Sequence, residues 1–379
     1  MAKRLKIAIS YNYNKGWIGG TYYIDNLVQA LNTLDDAEKP ILSIITGKKE
    51  YFDILKKVTS YPYLTYQIST GETSFFKKLV NTFLFRTINK RLFSRSIKNL
   101  DGVFPYYKSE QQDLAKTKVY WIADFQEHYL PHFFSEEEVI QRKEAQKAIA
   151  NSTNVLLLSS QNACQHFKEI FPEHKVKIRV LPFAVTNKSK LNEVSQLIKK
   201  YNLPDRFFIC CNQFWQHKNH MVILEALNYM KSNYNWNIPI VFTGNTGDYR
   251  NPGYYPSFLN YIEQNNLKTL TFSLGFVDRI DQLTLMNHAL AIIQPSLFEG
   301  WSTVIEDAKS LNKMIIASSI DVHQEQLQHS NAKLFEHSDF KKLAYILKES
   351  LANDQKLFDV YNYSTKVGQF AKSFISIFK

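Results

Sequence analysis

Short apolar runs alternate with helical patterns along the N-terminal half of the chain. Lys6 to Ser10 predicts a first strand, and Thr21 to Leu34 predicts a helix because its apolar residues recur at helical spacing. The loop NKGWIGG between them contains Gly19 and Gly20. Ser135 opens a later charged helix with an S-x-x-E pattern, which is typical of a capping box. Further strands are predicted at residues 40–46, 103–105, 118–125, 154–160 and 176–183.

The second half of the chain restarts the same alternation after Pro204. Its strands are nearly continuous runs of Val, Ile, Leu and Phe, which is typical of parallel sheets covered by helices on both faces. Two such blocks predict an α/β protein of two doubly wound domains. Ligands of such sheets bind outside the carboxyl ends of the strands, so two facing sheets predict a central cleft. The strands are predicted at residues 206–211, 238–244, 269–275, 290–296 and 314–319.

Composition and charge narrow the class of protein. The 379 residues are 45% hydrophobic and 21% charged, as in a globular protein. No apolar run approaches the ~18 residues of a membrane-spanning helix, and the N-terminus has no signal-peptide pattern, so we expect a cytoplasmic protein. Three cysteines without metal-ligand spacing favour neither a disulfide framework nor a zinc site. The net charge of +11 suits a polyanionic or phosphorylated partner, although it also serves solubility.

The strongest chemical signal is the segment QPSLFEGWSTVIED, residues 294–307, which runs from the end of a strand into a helix. Glu299 lies in a tight loop with Gly300. Ser302 and Thr303 stand near the helix start, where free amides and the helix dipole favour an anion such as a diphosphate. A serine or threonine there is also an ordinary N-cap.

This segment resembles the retaining glycosyltransferases of family 4, which have the two-domain GT-B fold. Their signature is two acidic residues separated by seven others, and FEGWSTVIEDAKSLNK matches it with Glu299 and Asp307. The resemblance implies that Glu299 contacts the donor sugar and that the loop of Gly300 and Trp301 binds the donor. It also implies that the amides of Ser302 and Thr303 hold the distal phosphate and that Asp307 binds the ribose. Asp307 replaces the usual glutamate, so Glu306 is an alternative ribose ligand.

A second match follows the strand RFFICC, in NQFWQHKNH. The family has an arginine and then a lysine five residues later, which neutralise the donor diphosphate. Lys218 takes the lysine position, and Gln213 stands where arginine is usual. His217 or the helix start at Asn219 is an alternative source of the positive charge that is lost at Gln213. A solvated surface lysine is the alternative interpretation of Lys218.

Three further segments match parts of the donor and acceptor sites. In the family, the loop at Gly19 and Gly20 reaches the donor phosphate, and glycines there also suit a tight turn. The segment LGFV contains Phe276 and Val277, and the resemblance implies that they contact the nucleotide base. Gly244, in a separate loop, suits either donor binding or a strand-end turn. The acceptor-side residues implied by the resemblance are Asp124, Gln126, Glu127 and His128, and either of the last two could face the cleft.

A basic stretch from residue 74 to residue 100 contains seven lysines and arginines and no acidic residue. Its apolar residues form a broad stripe, which favours an amphipathic helix on an anionic membrane surface. Packing on its own domain is the alternative. No recognition motif for nucleic acid accompanies it.

The resemblance implies an acceptor domain at residues 1–187 and a donor domain at residues 188–360, with a C-terminal helix at 361–379 packing back on the first. It implies transfer from a UDP- or GDP-sugar to a glycan or lipid-linked acceptor, with Glu299, Lys218 and His128 as candidate catalytic residues. No cofactor and no metal are expected. The first alternative is another two-domain enzyme acting on a phosphosugar. The second is a non-catalytic partner in a polysaccharide assembly, and Gln213 and Asp307 would favour this second alternative.

Overall fold

Seven strands of the first half form one parallel sheet in the computed structural model. The model describes residues 4–68, 99–107, 115–186, 191–351, 356–358 and 362–379. The strand order is β3-β2-β1-β4-β5-β6-β7. Ile7 pairs with Leu42 on one side and with Gly102 on the other, so β1 is an inner strand of the sheet. The strands are β1 Lys6–Ser10, β2 Ile41–Thr46, β3 Leu64–Ile68, β4 Gly102–Phe104, β5 Thr117–Trp121, β6 Val155–Leu158 and β7 Lys177–Val180.

The second half of the chain forms a separate parallel sheet, which is also doubly wound. Its order is β10-β9-β8-β11-β12-β13, so the direction of winding reverses between β8 and β11. Cys210 and Cys211 are buried within β8, as their apolar surroundings predict. The strands are β8 Phe208–Cys211, β9 Ile240–Thr243, β10 Thr271–Ser273, β11 Ile292–Gln294, β12 Ile315–Ser318 and β13 Lys333–Phe335. The prediction of two doubly wound α/β domains is confirmed.

Helices connect these strands and cover the sheets. The capping box predicted at Ser135 is present, because its hydroxyl accepts from the Glu138 amide and the Glu138 carboxylate accepts from the Ser135 amide. The helices of the described residues are α1 Ile18–Leu31, α2 Lys49–Thr59, α3 Gln126–Tyr129, α4 Glu136–Ala150, α5 Gln161–Ile170, α6 Val194–Tyr201, α7 His220–Tyr234, α8 Tyr254–Gln264, α9 Arg279–His288, α10 Thr303–Leu311, α11 Asp321–Gln326, α12 Phe340–Glu349 and α13 Tyr363–Ser376.

The first helix begins three residues earlier than its apolar spacing predicts. A 3-10 turn at Lys15–Trp17 leads directly into α1, and the side chain of Asn14 accepts from the amides of Gly16 and Trp17. Gly19 and Gly20 therefore lie in the first turn of α1, and the prediction that they form a loop before the helix is wrong.

The last helix returns to the first domain. Val367, Phe370 and Phe374 of α13 are buried in the same core as Ile24 and Leu27 of α1. The second sheet has its own apolar core on each face. The domain boundary predicted at residue 187 lies between β7 and β8 in four residues, 187–190, that are outside the described part of the chain.

No helix within the described ranges combines the length and the apolar character needed to cross a bilayer. Residues 74–98 of the basic stretch, which is predicted to bind a membrane surface, lie outside the described part of the chain.

Candidate active site

Lys218 and Glu299 meet at the carboxyl ends of two neighbouring strands of the second sheet. Lys218 ends the 3-10 turn Gln216–Lys218 after β8, and Glu299 lies in the loop after β11. The Lys218 Nζ lies 2.6 Å from Glu299 Oε1. Because the strand order reverses between β8 and β11, this pair lies at the topological switch point, where open α/β sheets bind their ligands.

The Glu299 carboxylate is held by three donors. Besides Lys218, Gln294 Nε2 donates at 2.9 Å and Ser296 Oγ at 2.8 Å to the same oxygen. Burial alone would raise the pKa of this carboxyl, but the charge of Lys218 and the hydrogen bonds from Lys218 and Ser296 help to offset it, so the pKa is lowered. Glu299 is therefore an ionised carboxylate in a fixed orientation.

The loop that carries Lys218 is tied to the loop that carries Glu299. Asn219 has a left-handed backbone with φ 55°, and its Nδ2 donates to Pro295 O at 3.2 Å. His217 contributes no charge, because burial and the neighbouring Lys218 and Arg250 hold its pKa well below the usual range. This lowered pKa does not favour His217 as the replacement for the missing cation at Gln213, and that role stays a prediction.

Backbone packing explains the glycine at position 244. Gly244 has φ 145°, and a Cβ there would overlap the carbonyl of Asn212, the residue before Gln213. Its amide donates to Gly275 O at 2.8 Å. Phe276, in the next loop, is 44% exposed and Val277 is buried. These residues line the carboxyl edge of the sheet, and their contacts with a donor stay predictions.

Gly300 brings the two domains into direct contact. A Cβ at this position would overlap the carbonyl oxygen of Ala123, which follows β5 in the first domain. Asp124 is therefore next to the loop of Glu299. Burial raises the pKa of Asp124, and the nearby charges of Glu127 and Glu299 raise it further against the hydrogen bond from the Gln126 amide.

The start of α10 follows this contact. Ser302 is the N-cap of the helix, and its amide donates to Gln326 Oε1 at 3.0 Å. The Ser302 amide, predicted to hold a phosphate, thus has a protein partner in this structure, whereas Thr303 begins the helix beside it. Trp301 Nε1 donates across the domains to Phe183 O at 3.2 Å.

The two adjacent carboxylates of α10 face different neighbours. Asp307 forms a bidentate pair with Arg279, with 2.6 Å between Arg279 Nη1 and Asp307 Oδ2. The guanidinium lies 4.9 Å from the centre of the Tyr22 ring on α1 of the first domain. Glu306 instead accepts from Lys309, from Gln326 and from Tyr363 of α13. Asp307 is therefore the carboxylate on the side of the opposing α1 helix, and its ribose contact stays a prediction.

The acceptor-side residues separate into two pairs. Gln126 accepts from Arg250 of the second domain at 3.0 Å, and Asp124 adjoins Gly300. His128 Nε2 lies 2.7 Å from Gln146 Oε1, and the other amide atom of Gln146 donates to the buried Glu127. These contacts of His128 and Glu127 stay within the first domain, so a catalytic role for His128 stays a prediction.

Sequence reasoning missed two arginines at this interface. Arg250 lies in the loop after β9 and stacks on Trp215 at 4.9 Å, and Arg279 opens α9 after β10. Both follow the carboxyl ends of strands, which is the signal that could have identified them.

Residues 193–367 match the family model described as "Glycosyl transferases group 1". The second half of the chain is therefore similar to group 1 glycosyltransferases, and the whole chain has the two-domain α/β fold known as GT-B. This part of the predicted resemblance is confirmed.

Among individual proteins, the chain is similar to the capsular polysaccharide biosynthesis glycosyltransferase CapH of Staphylococcus aureus. The two are 27% identical over 177 residues, which cover 44% of this chain and 48% of CapH. The match thus spans about half the length of that curated relative.

Two solved structures share the fold over nearly their whole length. A sucrose-phosphate synthase from Thermosynechococcus elongatus is 14% identical with a TM-score of 0.66, over 99% of this chain and 96% of that one. HepE of Anabaena, in complex with UDP and glucose, is 15% identical with a TM-score of 0.63, over the same shares of the two chains. At these identities the similarity establishes the fold alone.

Proposed function

We propose that the protein is a retaining glycosyltransferase that moves a sugar from a nucleoside-diphosphate sugar to an acceptor hydroxyl. The observation that carries this proposal is the Lys218–Glu299 pair, 2.6 Å apart at the switch point of a group 1 domain. An ammonium and an ionised carboxylate side by side at that place suit a ligand with both a diphosphate and sugar hydroxyls.

The chemistry follows from where charge develops. As the bond to the sugar breaks, negative charge grows on the departing diphosphate, and the Lys218 ammonium and the start of α10 stabilise it. Glu299 accepts hydrogen bonds from hydroxyls of the donor sugar, since Lys218 and Ser296 favour its ionised state and Gln294 helps to fix its orientation. Closure of the two domains limits hydrolysis by excluding water.

We propose a UDP- or GDP-sugar as the donor, with the ribose on Asp307 and the base near Phe276 and Val277. HepE, which shares the fold, has been solved with UDP-glucose, which makes UDP-sugars the first donors to test. No cofactor or metal takes part in this proposal.

The proposed acceptor is a glycan or a lipid-linked glycan precursor at the cytoplasmic face of a membrane. The similarity to CapH, a protein named for capsular polysaccharide biosynthesis, supports this. The lysines and arginines of residues 74–100 would add attraction to anionic lipid, about 1 kcal/mol for each basic residue near the surface. Co-sedimentation with anionic and with neutral vesicles tests the surface contact, and equal binding to both would contradict it.

The function is tested by a panel of nucleotide sugars with release of nucleoside diphosphate as the readout. We expect one donor to be turned over and the anomeric configuration of the product to be retained. Glu299→Gln and Lys218→Met should each lower the rate by about 100-fold or more, because each removes a charge from the transition-state environment.

Glu336→Gln and Lys341→Met, at exposed positions of the same domain, are matched controls that should keep wild-type rates. Circular dichroism separates lost chemistry from lost folding. No turnover of any donor, together with no thermal stabilisation by any of them, would favour the non-catalytic alternative.

A further inference from the structure

An exposed tryptophan ends a stack of three aromatic rings in the first domain. Tyr23 is buried and stacks on Trp121 with ring centroids 4.4 Å apart, and Trp121 stacks on Trp17 at 5.6 Å. The interplanar angles are 21° and 25°. Trp17 itself is 44% exposed. The stack thus presents one flat aromatic face at the surface.

The orientation of Trp17 is fixed by its neighbours. Asn14 Oδ1 accepts from the amides of Gly16 at 2.9 Å and of Trp17 at 3.3 Å, which sets the turn before the ring. The ring lies so close to Gly20 that a Cβ there would overlap it. A side chain held in this way loses little conformational freedom when a ligand binds.

The stack lies beside the candidate active site. Trp121 precedes Ala123 by two residues, and the Ala123 carbonyl touches Gly300, next to Glu299. Tyr23 also contacts Phe183 at 5.2 Å, whose carbonyl accepts from Trp301. Trp17 therefore stands at the carboxyl edge of the first sheet, across from the donor domain.

We propose that Trp17 is a stacking platform for a pyranose ring of the acceptor, which makes the acceptor a carbohydrate at this position. This inference rests on the proposed function and specifies its acceptor. The C–H face of a pyranose is apolar and slightly positive, and it matches the negative face of an indole ring. The exposed Asn14, whose Oδ1 accepts from the Trp17 amide, is a polar neighbour for the sugar hydroxyls.

Two other ligands fit the platform less well. An alkyl chain needs a contiguous apolar surface, whereas Trp17 is a single exposed ring next to the polar Asn14. A nucleobase could stack on indole, but the base of the donor is proposed to bind Phe276 and Val277 on the opposite domain. A sugar ring suits both the size of the platform and its polar border.

The test uses saturation-transfer NMR with three probes: methyl β-D-glucopyranoside, methyl β-D-galactopyranoside and methyl N-acetyl-β-D-glucosaminide. We expect wild-type protein to saturate the ring protons of at least one probe. Trp17→Ala should weaken its binding by about tenfold, and Trp17→Phe by less, because phenylalanine keeps a smaller ring. Tyr345→Ala removes an exposed aromatic side chain on α12 and should change nothing.

The same variants are compared for thermal stabilisation by UDP, GDP and their sugars, with circular dichroism as the check on folding. We expect Trp17→Ala to bind these donors as the wild type does. Weaker UDP or GDP binding in Trp17→Ala would make the ring a nucleobase platform and overturn the proposal. The Trp17 proposal also fails if the wild-type protein binds none of the pyranosides, or if Trp17→Ala binds them as tightly as the wild type does. Failure of the proposed function is seen separately, as absence of donor binding and turnover in the wild type.

Discussion

Asp25 is a buried carboxyl group on α1 that faces the domain interface. It is 7% exposed, and burial raises its pKa to about 7 in spite of the Tyr11 hydroxyl and the charge of Arg279. The native state therefore holds a proton on Asp25 between about pH 4 and pH 7, where the unfolded chain has lost it. The stability that this proton contributes is present at low pH and is lost as the pH rises through about 7.

Asp25→Asn should consequently raise the thermal midpoint more at pH 8 than at pH 5. At pH 8 the variant removes a buried negative charge, whose cost is on the order of a few kcal/mol. Differential scanning calorimetry at the two pH values measures the effect. Asp53→Asn, on the exposed face of α2, is the control and should show no such difference between the two pH values. A smaller gain at pH 8 than at pH 5 would contradict a raised pKa for Asp25.

The Tyr363 hydroxyl of α13 links the two domains. Tyr363 OH accepts from the Val185 amide at 3.1 Å and donates to Glu306 of α10. Because Glu306 is buried with Lys309 and Gln326 as its other donors, each hydrogen bond to it acts in a water-poor environment.

Tyr363→Phe should lower the free energy of unfolding by about 1–3 kcal/mol, since it removes this acceptor from the Val185 amide and one donor from a buried carboxylate. Thermal unfolding measures the loss. Tyr345→Phe deletes a hydroxyl that bonds the exposed Glu349 and should be close to neutral. Equal effects of the two substitutions on the free energy of unfolding would contradict a larger stabilising role for the Tyr363 hydroxyl.

Most of the elements could be predicted from hydrophobic pattern, and the exceptions have physical causes. Central strands such as Phe208–Cys211 are buried on both faces and form continuous apolar runs in the sequence. Leu64–Ile68 and Lys333–Phe335 escape prediction, because they form outer edges of the sheets and carry polar residues. The early start of α1 escapes it because two glycines favour a loop by local propensity, whereas Asn14 organises the turn that precedes the helix.

The candidate site was predictable where loops follow neighbouring strands. Lys218 and Glu299 are 81 residues apart in sequence, but both follow strands at the switch point of one sheet. The contacts of Tyr22 with Arg279 and of Ala123 with Gly300 depend on how two separate sheets face each other. No spacing along the chain encodes that relation, so these contacts could not be predicted.

At the scale of the whole molecule, the two domains touch through backbone at Gly300. Gly300→Ala should lower the transfer rate by at least about tenfold, because the added methyl pushes the loop of Glu299 away from Ala123 and a shift of about 1 Å is costly for catalysis. Gly368→Ala on α13 is the matched control, since a Cβ there meets no atom within 4 Å and alanine favours the helix. Nucleoside-diphosphate release and thermal midpoints measure both, and wild-type turnover in Gly300→Ala would refute the argument.

The chain passes between its two halves twice, once between β7 and α6 and once between α12 and α13. The same two halves also touch where Gly300 meets the Ala123 carbonyl and where Trp301 donates to Phe183 O. The loop of Glu299 therefore takes its position from both halves of the molecule, and moving them apart would remove its contacts with the first.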